Sequence, residues 1–274
     1  MSRELELRRL ESEAQRAAAS VLERYAVEEA SHLQLEAFAK DLGAEVVEGN
    51  LDGCIARLVR SGDTGLIRVS TTVTNRGRRR FCVAHELGHF ILRHADSGWL
   101  TCAEGELEEF GGGEAARLET QANMFASELL LPEPLVRRKC EVSPVDFEPV
   151  KRIAVEFETS LMATAIRFVR FSPESCVLVF SRDGRIKWTR KSEDFKLHTH
   201  GWGERLPKGS LAEVYFRKGT ITDGPMDVGS DAWLVDWSAE KVPEVVEHSL
   251  AIPSAGGVLS LLWIPVSEED DDED

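Results

Sequence analysis

The sequence predicts an α+β protein, and three observations carry that prediction. An apolar run at residues 81–92 holds His85-Glu86-Leu87-Gly88-His89 on a helical period, with Phe81, Ala84, Leu87, Ile91 and Leu92 forming a buried stripe. A second segment, residues 114–131, repeats apolar residues at Ala115, Leu118, Ala122, Phe125, Ala126, Leu129 and Leu130 before Leu131-Pro132 stops it. Short apolar stretches bounded by Gly, Asp and Ser precede the His85 helix, and more of them fill the last third of the chain.

Taken in order, residues 2–25 form a charged amphipathic helix that lacks the apolar core of a signal peptide. Residues 32–42 read as a second helix ending at Gly43. Apolar stretches at 44–47, 54–59 and 66–69, the last after Ser61-Gly62-Asp63-Thr64-Gly65, predict a small antiparallel sheet against the His85 helix. An edge strand of such a sheet is the expected place for a substrate backbone to pair. From 143 to 171 the pattern changes to two short helical pieces around Glu158-Thr159-Ser160. The second offers chiefly Arg167 and Arg170 to an outer face, so a scaffolding role is expected over DNA reading. The rest is a mixed α/β region with much strand: 177–181 and 185–189 flank the hairpin signal Asp183-Gly184, and 258–264 is a further strand. The expected division is 1–142, 143–171, 172–266 and an acidic tail at 267–274.

The chemistry centres on the His85 helix. Residues four apart share a helix face, so His85 and His89 can offer two imidazole nitrogens to one zinc ion, with Glu86 beside it as a general base. Zinc in a hydrolase takes a third protein ligand and leaves the fourth position to water. Glu119 on the next helix is the candidate, with Asn123 one turn on to support a ligand by hydrogen bonding. Read from its own surroundings, Glu119 fits equally well as an exposed helix carboxylate. His94, five residues beyond His89, is displaced from the ligand face and is expected to pack or to support a ligand rather than bind.

The run Arg79-Arg80-Phe81 into His85–His89, then His94, Glu119 to Asn123, Phe125-Ala126 and Leu129-Leu130-Leu131-Pro132 resembles the ImmA/IrrE-type zinc metallopeptidases over about residues 40–170. The resemblance implies a zincin-like core with zinc on His85, His89 and Glu119. Gln121 stands where many relatives have an acidic residue, which leaves Glu119 the clearer ligand. It also implies a helix-turn-helix-like segment at 143–171 and a GAF-like sensor domain after it. The implied substrate is a helix-turn-helix transcriptional repressor, whose cleavage releases stress, DNA-damage or anti-phage genes.

Five cysteines in an odd, unclustered set fit reduced thiols, and no segment is long and apolar enough to span a membrane, so a cytoplasmic protein is expected. Cys102 lies in the connection 97–105 between the two helices, where it reads either as an ordinary loop cysteine or as a removable fourth zinc ligand that inhibits the enzyme. Of the net charge of -15, seven negative charges belong to Glu268–Asp274. Residues 182–218 carry ten Lys or Arg against five acids, a net +5, with Trp188, Phe195, Trp202, Tyr215 and Phe216 among them. Arg185, Lys187, Trp188, Arg190, Lys191, Lys196 and Trp202 are therefore candidates for binding single-stranded DNA as an activator, since cations meet phosphates and rings meet bases. The plainer reading puts the rings in the core and the charges in solvent. The alternative to a protease is a DNA- or protein-binding regulator with a structural zinc site, which would have no use for Glu86.

Overall fold

Ala14, Ala18 and Val21 form an i, i+4, i+7 stripe along helix α1 (Arg3–Arg24), and this stripe is buried. The computed structural model describes residues 3–94, 100–102, 114–236 and 243–265. The chain divides into two compact units, Met1–Leu135 with Ala154–Ser160, and Val136–Ile153 with Leu161–Asp274.

In the first unit α1 is followed by α2 (Leu35–Asp41), β1 (Ala44–Gly49), β2 (Ala56–Ser61), β3 (Thr64–Ser70), α3 (Arg76–Ile91), β4 (Leu100–Cys102), α4 (Glu114–Leu130) and the single turn α5 (Glu133–Val136), which ends at the boundary. Helix α4 lies between α1 and α3. The four strands run in the order β1-β3-β2-β4, with β1 parallel to β3 and the other pairs antiparallel. The sheet is therefore mixed, not antiparallel as expected. Side-chain alternation fixes which face of a strand is buried but not its direction. The tight β2–β3 turn, with Gly62 at φ +60°, brings those two strands together, β4 takes the other edge of β2, and β1 takes the free edge of β3. The inner face (Ala56, Leu58, Ile67, Val69) is buried, and α3 packs against β2 and β3. Gly65 is needed there, because a Cβ on it would stand 2.9 Å from the Phe90 ring.

The second unit holds the start of α6 (Phe147–Phe157), whose last turn belongs to the first unit, and then α7 (Leu161–Phe171), β5 (Cys176–Arg182), β6 (Arg185–Lys191), β7 (His198–Thr199), α8 (Leu211–Lys218), β8 (Met226–Val228), β9 (Leu234–Asp236), β10 (Val245–Ile252) and β11 (Gly257–Trp263). Five strands form one antiparallel sheet in the order β6-β5-β11-β10-β8, and β7 pairs with β9. The β5–β6 hairpin turns at Asp183 and Gly184, both at positive φ (54° and 69°), as a primed turn requires. Within α7, Arg167 is buried against the Phe171 ring and only Arg170 is exposed. One face of the sheet buries Val177, Val179, Ile186, Trp233, Val258 and Leu262. Beside them the fully buried Glu247 accepts from the backbone N–H groups of Leu211 (2.9 Å) and Ala212 (3.1 Å), from Trp233 Nε1 (2.7 Å) and from Ser249 Oγ (2.7 Å), so it caps α8 from the sheet.

Candidate metal centre

Helix α3 starts at Asn75, whose side chain accepts from the Arg78 N–H at 2.9 Å. Its first turn carries Arg76, Arg78, Arg79 and Arg80, which is the wrong sign for a helix N-terminus. Local carboxylates offset this: Arg76 pairs with Glu158 at 2.7 Å, Arg79 with Glu48 at 2.9 Å and with Glu36, and Arg80 with Glu158 at 3.5 Å. These pairings give Arg76, Arg79 and Arg80 a structural use. The inward face of α3 then presents His85, Glu86 and His89, all buried.

Glu119 reaches that face because α3 and α4 approach closely at Gly88, where an added Cβ would lie 2.9 Å from Phe125 Cδ1. His85 Nε2 and His89 Nε2 are 3.0 Å apart. The Glu119 carboxylate lies 3.1 Å from the first through Oε2 and 3.3 Å from the second through Oε1. Donors about 2 Å from a tetrahedral zinc stand roughly 3.3 Å from one another, so the three side chains fit a single ion. The far nitrogens are held as well: His85 Nδ1 lies 2.8 Å from Asn123 Oδ1, and His89 Nδ1 lies 3.0 Å from His94 Nδ1. Because Asn123 Oδ1 only accepts, His85 carries its proton on Nδ1 and offers the Nε2 lone pair to a metal.

The charges agree with this arrangement. Burial works to lower the pKa of His85, but Glu119 and Glu86 outweigh it and hold it above the ordinary value. Burial likewise works to raise Glu119, yet His85 and His89 keep its carboxyl far below the usual carboxylate range. Burial and the neighbouring His89 push His94 down to about 4, so it is neutral at physiological pH.

His85, His89, Glu119, Asn123 and His94 are thus brought together, with Glu86 buried on the same helix. His94 sits behind His89 and contacts Gln121, Nε2 to Oε1, at 2.9 Å. Gln121 in turn reaches Glu13 on α1, Nε2 to Oε2, at 3.0 Å. Gln121 stood out in the sequence only as a departure from its relatives, and Glu13 had no local signal. The backbone of Cys102, expected in a loop, lies in edge strand β4 opposite Ala56. Its side chain, on which a fourth-ligand role depends, lies outside the described residues.

In the second unit the basic and aromatic stretch separates into parts. Phe195 is buried in the core, Tyr215 and Phe216 pack against it, and Trp188 is half-buried against Phe180 with Arg190 over its ring. Trp202 is 82% exposed, in the turn whose Gly203 carbonyl accepts from Arg185 Nη1 at 2.8 Å. Lys191 and Lys196 are exposed but bond to the backbone carbonyls of Leu197 and Glu193, and Lys187 is half-buried.

Residues 39–169 match the family described as peptidase M78, the IrrE N-terminal-like domain. No curated protein matches the chain. Among solved structures it is similar to a Mycobacterium tuberculosis transcriptional regulator, with a TM-score of 0.57 and 15% identity over 92% of this chain and 76% of that one. At that identity the likeness is one of fold.

Proposed function

From the match of residues 39–169 to the peptidase M78 family with its IrrE N-terminal-like domain, we propose that the chain is a cytoplasmic zinc endopeptidase whose substrate is a helix-turn-helix transcriptional repressor. The observation that carries this reading is the convergence of His85 Nε2, His89 Nε2 and the Glu119 carboxylate, with the buried Glu86 carboxylate on the same helix. Zinc held by that set supplies a water of lowered pKa and a polarised scissile carbonyl. Glu86 acts as the base that takes a proton from the attacking water and returns it to the leaving amine nitrogen. Asn123 and His94 hold the two imidazoles so that their Nε2 atoms stay aimed at one point.

Residues 172–266 are assigned the sensing role, as a GAF-like domain by resemblance, with single-stranded DNA as the activating ligand. Support comes from the exposed Trp202, next in the chain to the Gly203 whose carbonyl Arg185 binds, and from the exposed cations Lys191 and Lys196. Cys102 is assigned as a removable fourth ligand, and raised basal cleavage by Cys102→Ser is the expected sign of it. Cleavage of the repressor would release stress, DNA-damage or anti-phage genes.

The test incubates the zinc-loaded chain with the helix-turn-helix protein encoded beside its gene, with and without single-stranded DNA. A discrete product is expected, lost in Glu86→Gln although that variant keeps its zinc, and no longer stimulated by DNA in Arg190→Glu with Lys191→Glu. A fully active Glu86→Gln would remove the base assignment. Bound zinc with no cleavage under any condition would favour a regulator that acts by binding.

A further inference from the structure

Four side chains form an unbroken hydrogen-bonded line from His89 to helix α1. His89 Nδ1 lies 3.0 Å from His94 Nδ1, His94 Nε2 lies 2.9 Å from Gln121 Oε1, and Gln121 Nε2 lies 3.0 Å from Glu13 Oε2. The donors and acceptors can be assigned from the Glu13 end. A carboxylate only accepts, and the other neighbour of the Gln121 amide nitrogen is the Leu10 carbonyl at 3.5 Å, also an acceptor. Gln121 must therefore turn its NH2 toward α1 and its oxygen toward His94. That oxygen needs a donor, so His94 carries a proton on Nε2; of the two facing Nδ1 atoms one must donate and one accept, and a His89 that offers Nε2 to a metal keeps its own proton on Nδ1, so His94 Nδ1 is the acceptor. The lone pair of His89 Nε2 then faces His85 and Glu119.

We propose that Glu13 and Gln121 are positioning residues of the metal centre: the Glu13 carboxylate, acting through Gln121 and His94, fixes the tautomer and orientation of His89 that a zinc ligand needs. This rests on the zinc reading given above and extends it to α1, which lies outside the segment matched to the family. Glu13 is one-third exposed and shared with Arg9 at 2.9 Å, so the line ends at the protein surface. His85 has a short counterpart in Asn123, whereas His89 depends on a chain of three. The general pattern is a carboxylate behind a ligating histidine, here relayed over two extra side chains.

The experiment measures zinc affinity of the full-length chain by competition with a chromophoric chelator, alongside the protonation of His89 and His94 by imidazole 15N NMR of the zinc-free protein. Loss of a directly bonded partner such as His94, in His94→Phe, is expected to weaken zinc about 10- to 100-fold. Glu13→Ala, two links further out, is expected to weaken it about 3- to 10-fold and to shift the His89 proton population away from Nδ1. Glu13→Gln, which keeps an acceptor but not the charge, should fall between Glu13→Ala and the parent and guards against misfolding of the alanine variant. In the His94→Phe background, Glu13→Ala should add less than about a twofold further loss, because the line is already cut.

Fully additive losses, or Glu13→Ala and Glu13→Gln both binding zinc as the parent does with His89 unchanged, would overturn the relay while leaving the metal centre intact. A parent chain that binds no zinc through His85, His89 and Glu119 would instead overturn the proposed function itself.

Discussion

Gly88 lies against Phe125 so closely that a methyl group on it would stand 2.9 Å from Cδ1 and 3.2 Å from Cγ of the ring. Phe125 sits on the same helix as Glu119, six residues further on, so this contact sets how near α4 brings its carboxylate to His85 and His89. In Gly88→Ala the alanine gains helix propensity worth about 1 kcal/mol, but overpacking the helix contact costs about 1–3 kcal/mol. A net loss of stability in chemical denaturation, together with weaker zinc binding, is expected. A stabilised variant with parental zinc affinity would show that α4 shifts freely.

Zinc should raise the thermal midpoint of the parent, because an ion that binds only the folded chain adds about 2.7 kcal/mol at a hundredfold excess over its dissociation constant. A chelator should reverse the shift. His85→Ala and Glu119→Ala each remove one of the three donors and should lose most of it. A zinc-induced shift undiminished in both would place the ion elsewhere.

His248 is buried, and its Nδ1 accepts the Phe147 N–H at 3.2 Å, which requires an unprotonated nitrogen. Burial lowers its pKa; Asp146, Glu148 and Asp223 pull it upward and Lys151 pushes it down, with a net depression. The unfolded chain then takes a proton near pH 6.5 that the folded chain takes only at lower pH. Stability contributed here is complete above about pH 6.5 and falls as the pH drops toward the folded pKa. Urea titrations at pH 7.5 and 5.5 should show a smaller acid loss for His248→Asn than for the parent; equal losses would exclude this group as a cause.

Burial pushes the Cys140 thiol up to about 12 and those of Cys82 and Cys176 up to about 11. At pH 8 a thiol of pKa 11 is a thiolate about one part in a thousand, so iodoacetamide should leave all three unmodified in the native chain and label them once it is denatured. Prompt native labelling of any of them, read by mass spectrometry, would contradict the packing described.

Removing the Glu247 side chain leaves two backbone N–H groups of α8 and the Trp233 indole N–H without their acceptor. Glu247→Ala is expected to destabilise the second unit by about 3 kcal/mol or more, and Glu247→Gln by less, because one amide oxygen can still accept. Denaturant midpoints would check the order, and an alanine variant as stable as the glutamine variant would refute it.

What the sequence made legible was local. The helices bearing His85 and Glu119 and the hairpin at Asp183-Gly184 each declared themselves within a dozen or so residues through period or turn chemistry. Glu119 needed its relatives to be singled out, because a carboxylate on a helix has the same spacing whether it faces water or metal. The parallel pairing of β1 with β3 escaped, since alternation carries no direction. So did the bond between Gln121 and Glu13, 108 positions apart, for which no periodicity exists. The mixture of rings and cations at 182–218 was plain, but composition cannot tell Phe195, which is buried, from Trp202, which is exposed.

Helix α1, in which Ala14, Ala18 and Val21 are buried, packs against α4, while the segment matched to the family begins only at residue 39. A fragment trimmed to that shared segment would leave the α1-facing side of α4 open to water, inviting self-association in place of folding. Ancestry and cooperative folding therefore draw different borders on this chain, and expression of the shared part alone would report on its missing neighbour as much as on its chemistry.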